Sequence, residues 1–139
     1  MSDIFSKKKR SEIMSKIRAT ETKPEKIVRK FLFSQGFRFR KNSTSLPGKP
    51  DIVLPKYKTV IFIHGCFWHG HKNCKAAKLP ETRKEFWTNK IKANILRDKK
   101  VKKKILSEDY NVITVWQCQL KSKARQEKAL TNIVNKLQQ

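Results

Sequence analysis

The sequence predicts an α/β fold, a small sheet sandwiched between helices in the order α-β-β-β-α-β-α. Three observations lead there. Short apolar runs bounded by turn residues recur at residues 51–54, 59–64 and 111–116, as buried strands do. Residues 81–108 contain no Gly or Pro and read as one long helix. Residues 22–36 and 122–137 carry apolar residues at helical spacing. The length of 139 residues fits one domain, and a chain of that size buries roughly two-thirds of its unfolded surface.

The elements follow in order. Residues 1–21 form a basic N-terminal arm in which Ile13, Met14 and Ile17 sit at helical spacing; residues 22–139 form the folded domain. Thr22-Lys-Pro-Glu25 is a capping box, with Thr22 accepting from the Glu25 amide and Glu25 reaching back. Ile27, Val28, Phe31 and Leu32 make the apolar face, and Gly36 closes the helix. Phe37-Arg-Phe-Arg40 alternates apolar and basic, which predicts a half-buried strand. A polar loop over 41–50 leads into the strand 51–54, a turn at 55–58 and the strand 59–64. Residues 65–80 are a loop dense in Cys, His, Trp and Gly. On the long helix, Trp87, Ile91, Asn94, Asp98, Val101 and Ile105 share one face. Asn94 and Asp98 interrupt that apolar stripe, and buried polar groups need partners. Asp98 either pairs with Arg97 or Lys102 or points at a polar site. The last helix turns Leu130, Ile133, Val134 and Leu137 inward.

Charge narrows the function. The chain carries 34 Lys plus Arg against 11 Asp plus Glu, a net +23. That excludes an ordinary neutral enzyme of small molecules and points to a polyanionic partner. Of the basic residues, 26 are Lys and 8 are Arg. Lys acts as a point charge for phosphate, so the bulk charge fits backbone tracking. No apolar run approaches the ~20 residues of a membrane span. The first ten residues lack the apolar core of a secretory signal, so the expected location is the cytoplasm, with no membrane partner.

The three cysteines suit a metal better than disulfides. Cys66-x4-His71-x2-Cys74, with 43 residues before Cys118, supplies three thiolates and an imidazole. That is a complete tetrahedral zinc set, closed and therefore structural. His69 is an alternative fourth ligand, and small buried cysteines are the plain alternative to any metal. The ends of the strands carrying Cys66 and Cys118 meet if those strands are parallel neighbours.

Among the scarce acids Asp51 stands out, opening a strand after Leu46-Pro-Gly-Lys-Pro50, with 12 residues between it and His64. It is either a turn residue or a site acid. The αβββαβ order matches the PD-(D/E)xK restriction-endonuclease-like core, which keeps an Asp here and an acid-x-Lys on the next strand. Phe62 and His64 occupy those last two places, so His64, His69 and Asp98 have to fill the gap.

Ser45-Leu-Pro-Gly-Lys-Pro-Asp51, His64-Gly-Cys-Phe-Trp-His-Gly-His71, Thr82-Arg-Lys-Glu-Phe-Trp87, Arg97-Asp98 and Val115-Trp-Gln-Cys118 together resemble the very-short-patch-repair (Vsr-type) DNA mismatch endonucleases. The resemblance runs from about Arg10 to Leu120. It implies a PD-(D/E)xK-like fold with structural Zn²⁺ and catalytic Mg²⁺, and a nick 5′ of the T in a T:G mismatch left by 5-methylcytosine deamination. By resemblance Asp51 is the Mg²⁺ carboxylate and the main-chain carbonyl of Ile63, often Thr in the family, a further Mg²⁺ ligand. His69 positions or deprotonates the attacking water, His64 contacts the phosphate, Asp98 orients a histidine, and Glu25 is a further site acid, in competition with its capping role. Phe67, Trp68 and Trp87 match aromatics that enter the DNA stack beside the mismatch; core packing is their plain alternative. Met14 and Lys90 match residues that contact DNA there, and the arm folds over the duplex. The resemblance also implies a monomer, a prokaryotic nucleoid-associated location, and mismatch-repair proteins as candidate partners. Two other readings stand beside it: a restriction-type nuclease of the same fold, and a non-catalytic zinc-containing nucleic-acid-binding protein. The latter explains charge and zinc but not Asp51, His64, His69 and Asp98 together.

Overall fold

The computed structural model of the protein describes residues 23–138. The arm with Met14, the residue Thr22 of the capping box, and Gln139 lie outside the described residues. A four-stranded sheet has the order β1-β2-β3-β4, formed by Arg40–Lys41, Ile52–Leu54, Thr59–His64 and Asn111–Trp116. The first two pairings are antiparallel and β3–β4 is parallel. Among the described residues three α-helices, α1 (Lys23–Ser34), α2 (Lys84–Ser107) and α3 (Lys123–Leu137), join the sheet in a mixed α/β architecture. Among the described residues no helix is long and apolar enough to cross a membrane.

The period of two along each strand divides the core between the two sheet faces. Ile61 and Ile113, with Ile52 and Leu54, meet Val28 and Leu32 of α1 and Leu130, Ile133 and Leu137 of α3. Val53 and Val60 on the other face pack with Ile105 of α2, and Phe62, Val101 and Val112 border them. Leu32 is fully buried, so Leu32→Ala would cost about 2–5 kcal/mol.

Helix ends follow from local chemistry. Gly36 at φ 85° ends α1: its N–H donates to the Phe33 carbonyl at 3.0 Å, and the Phe37 N–H to the Leu32 carbonyl at 3.0 Å. This Schellman closure turns Phe37 back into the core, where its ring meets Tyr57 at 5.3 Å. The strand expected over 37–40 is thereby displaced to Arg40–Lys41. Arg83, at φ 54°, delays the start of α2 from the expected 81 to Lys84. The Ser122 hydroxyl accepts from the Arg125 N–H at 3.2 Å and caps α3.

Candidate active site and metal centre

Parallel pairing sets the frame, because His64 lies opposite Trp116 in the β3–β4 register. Cys66 and Cys118, two residues further along each chain, therefore leave the sheet at the same end. The loop after β3 folds on itself, with the His69 N–H donating to the Gly65 carbonyl at 3.2 Å and the His71 N–H to the Cys66 carbonyl at 3.0 Å. Gly70 has φ 60°, and a Cβ there would lie 2.7 Å from Ile95 Cδ1 and 2.8 Å from Ile91 Cγ2. Only glycine lets the loop lie this close on α2. The turn separates two histidines, His71 joining the cysteines and His69 joining a second cluster.

Ligand atoms of Cys66, His71, Cys74 and Cys118 all lie within 4.8 Å of one another. His71 Nδ1 is 3.5 Å from Cys118 Sγ, and its ring stacks on Trp116 at 4.1 Å. Burial, then donation to Cys118 and Cys74, pushes the Cys66 thiol up to about 11. Cys74 moves the other way: desolvation opposes the shift, but hydrogen bonds from the Ala76 backbone and the other two thiols outweigh it. One sulfur thus gives up its proton more readily than an ordinary thiol, and the four donor atoms converge as a metal site requires. His69, the alternative fourth ligand, faces elsewhere.

His69 Nδ1 donates to Asp98 Oδ2 at 2.6 Å, and its ring stacks on His64 at 3.8 Å and 4°. Asp98 thus points at a polar site, while Arg97 donates to the Asn94 side-chain carbonyl at 2.7 Å. Asn94 in turn donates to the Trp68 carbonyl at 2.9 Å. Both polar residues in the α2 stripe therefore grip the loop. Burial, reinforced by His69 and opposed by Asp98, lowers His64 to about 4, so its ring is neutral near pH 7.

Asp51 precedes β2, and its Oδ2 accepts from the Ile63 N–H at 2.7 Å. Glu25 of α1 is buried on the same helix face as Val28 and Leu32 and hydrogen-bonds Asp51. Burial is the main reason that Asp51 rises to about 7; the Ile63 N–H and the Arg29 charge pull it down, and Glu25 pushes it up. Arg29 was not visible as a site residue in the sequence, although its position one turn after Glu25 was a usable sign. Trp116 was also missed: it stacks on His71 and meets His64 edge-on at 5.3 Å, touching both clusters.

Phe67, Trp68 and Trp87 come together where the loop meets α2, with ring centroids 5.2–5.8 Å apart, and Phe86 extends the row at 5.1 Å from Trp87. Lys90 is exposed one turn beyond Trp87. A cavity of ≈ 430 Å³ between the sheet and α2 is lined by His64, His69 and Asp98, by Phe62, Ile95 and Trp116, and by Lys72, Lys99 and Lys102. Acid, imidazoles, aromatics and lysines thus meet around one end of the sheet, a layout suited to holding and cutting a phosphate ester.

Sequence comparisons agree with that chemistry. The family model for "DNA mismatch endonuclease Vsr" matches residues 2–76. The chain is 51% identical over 137 residues to the type II nicking enzyme V.NmeAIP of Neisseria meningitidis serogroup A, covering 99% of this chain and 97% of that protein. It is 43% identical over 135 residues to the type II nicking enzyme V.XorIIP of Xanthomonas oryzae, with 97% and 98% covered. To the DNA mismatch endonuclease Vsr of Escherichia coli K12 it is 41% identical over 132 residues, with 94% and 84% covered.

Proposed function

Because the chain belongs to the Vsr family of DNA mismatch endonucleases, we propose that this DNA endonuclease nicks a duplex 5′ of the T in a T:G mismatch by Mg²⁺-dependent hydrolysis. The reading rests above all on the His69–Asp98 pair beside His64 at the end of β3, next to Ile63, whose N–H donates to Asp51. The core is then a PD-(D/E)xK variant, with Phe62 and His64 standing where the acid and Lys belong.

The donor atoms fit two kinds of ion. Three sulfurs and an imidazole, converging within 4.8 Å, suit structural Zn²⁺. The buried Asp51–Glu25 pair offers hard oxygen donors, which suit Mg²⁺. Asp51 and the Ile63 carbonyl would hold that Mg²⁺. A bound Mg²⁺ would supply positive charge against the phosphate and the leaving oxygen. The chain's own residues do the rest. Asp98 keeps the His69 proton on Nδ1, so Nε2 is free to accept a proton from the attacking water. The neutral His64 donates to a phosphate oxygen. Asp98 also stabilises the imidazolium that forms. Glu25 shares the Asp51 site and holds that carboxylate in place.

Phe67, Trp68 and Trp87 act as a wedge beside the mismatch, at a few kcal/mol per unstacked step, and a wobble pair is easier to open than a matched one. Lys90, Met14 and the arm 1–21 hold the duplex around it. The lysines supply affinity with a steep salt dependence. The relatives named type II nicking enzymes favour one second reading, nicking at a fixed sequence without regard to mismatch. Mg²⁺-dependent cleavage of T:G and T:A duplexes with identical flanks separates the two. Nicking of T:G alone supports our reading, and equal nicking of both supports the second. Tight binding without any nicking would leave a non-catalytic binder.

A further inference from the structure

The mechanism above uses Nε2 of His69 and leaves Nδ1 to Asp98. We infer that His64, His69 and Asp98 also form a second metal site, for a borderline divalent transition ion such as Zn²⁺, Co²⁺ or Ni²⁺, whose occupation switches the nuclease off. One ligand atom from each of the three lies within 4.8 Å of the others. Two imidazoles and a carboxylate are a donor set such ions accept, whereas Mg²⁺ prefers oxygen. His64 Nδ1 is buried without a hydrogen-bond partner, an unmet demand that an ion would satisfy. The 2.6 Å between His69 Nδ1 and Asp98 Oδ2 is short enough for both atoms to reach one ion. The stacked rings lie 3.8 Å apart, and bonds of about 2.0–2.1 Å let one ion reach a nitrogen of each once they tilt toward it. The adjoining cavity leaves room for water to complete the shell. Lys72, Lys99 and Lys102 line the same cavity, so the affinity falls below that of the cysteine cluster.

Proton bookkeeping gives the inhibitory role. A neutral imidazole keeps one proton. In the free protein that proton lies on Nδ1, facing Asp98. An ion on Nδ1 takes that nitrogen's lone pair, and the proton moves to Nε2. No proton leaves the protein, but Nε2 becomes a donor and no longer accepts from water. The inhibitory role therefore rests on His69 acting as the base in our functional reading. The binding site itself does not.

The test uses the full chain with one zinc per molecule at the cysteine cluster, titrated with Co²⁺. We expect one further equivalent, with ligand-field absorption and without a thiolate-to-cobalt band. Asp98→Asn and His64→Ala should each weaken that equivalent at least about tenfold, with the first zinc and the melting transition retained. In wild type, a second equivalent of diamagnetic Zn²⁺ should move the His69 proton from Nδ1 to Nε2 in imidazole ¹⁵N spectra, a readout independent of any variant. The second equivalent should also arrest nicking, and a weak chelator should restore it. Absence of a second equivalent, a thiolate band on it, or an unmoved His69 proton overturns the site. A bound second ion with undiminished nicking overturns the inhibitory role alone. A protein that never nicks with Mg²⁺ fails the functional reading, while the titration still decides the site.

Discussion

The cysteine cluster and the His64–His69–Asp98 cluster draw on one loop, and two of their three imidazoles, His71 and His69, are two residues apart. Their partners make them different. His71 faces sulfur and stacks flat on Trp116, in a set of four converging donor residues. His69 faces a carboxylate and keeps one nitrogen clear of it. The first arrangement resists change and the second depends on a movable proton. A single glycine, Gly70, makes the division possible by pressing the loop onto Ile91 and Ile95. The lesson is that the fate of a histidine is set by what its second nitrogen meets.

The sharpest way to break this comparison is to strip the cysteine side of the zinc proposed for it. The loop has little core of its own, so binding energy there is folding energy, on the order of 10 kcal/mol. A strong chelator, or Cys118→Ala, should abolish the cooperative melting transition. A metal-free protein melting like the native one would refute a structural zinc.

The proposed catalytic side should respond chiefly in rate. His69→Ala should slow nicking by about 10²–10⁴-fold, as loss of a general base does, with unchanged affinity for the T:G duplex. Equal losses in affinity and rate would make His69 a binding residue. Asp51→Ala should bind the duplex and leave it uncut; cleavage at the native rate would remove Asp51 from the metal site.

Asp51 also predicts a pH dependence of the Mg²⁺-free protein. Its folded value of about 7 lies above the ~3.9 of an unfolded aspartate. Between those values the folded chain binds more protons than the unfolded one. This contribution to stability is full below about pH 4 and is lost as pH rises through 7. The loss is on the order of 4 kcal/mol. Asp51→Asn should flatten that slope in the difference between the two melting curves, and Mg²⁺ should recover stability in wild type only. A wild-type curve parallel to that of Asp51→Asn would show that Asp51 is already ionised without the ion.

The two regions were not equally legible in the sequence. The cysteine spacing picked out the four residues that converge, because three thiols and an imidazole with no cysteine left over admit few arrangements. Asp98 was legible because a polar residue in the apolar stripe of α2 needs a partner. The meeting of Glu25 with Asp51 was not, since it depends on how α1 docks against β2. Phe37 misled because alternating apolar and basic residues suit a strand as well as the chain leaving a Schellman cap. Arg83 misled because nothing in its side chain announces a left-handed backbone.

Asn94 probes the smallest effect, the share of positioning that the protein supplies without metal. Its side chain donates to the Trp68 carbonyl at 2.9 Å and accepts from Arg97 at 2.7 Å. Asn94→Ala strands both partners at a buried position, a cost of about 1–3 kcal/mol. Asn94→Asp keeps an acceptor for Arg97 but turns an oxygen toward the Trp68 carbonyl, so it should disturb Trp68 at least as much while costing less packing. If Asn94 fixes Trp68 for the wedge, both variants should lower the ratio of T:G to T:A nicking, and the drop should not track the loss in melting temperature. A lowered melting temperature with an unchanged ratio would mean that the cysteine cluster alone positions the loop. The aromatic wedge would then belong to the metal's side of the comparison.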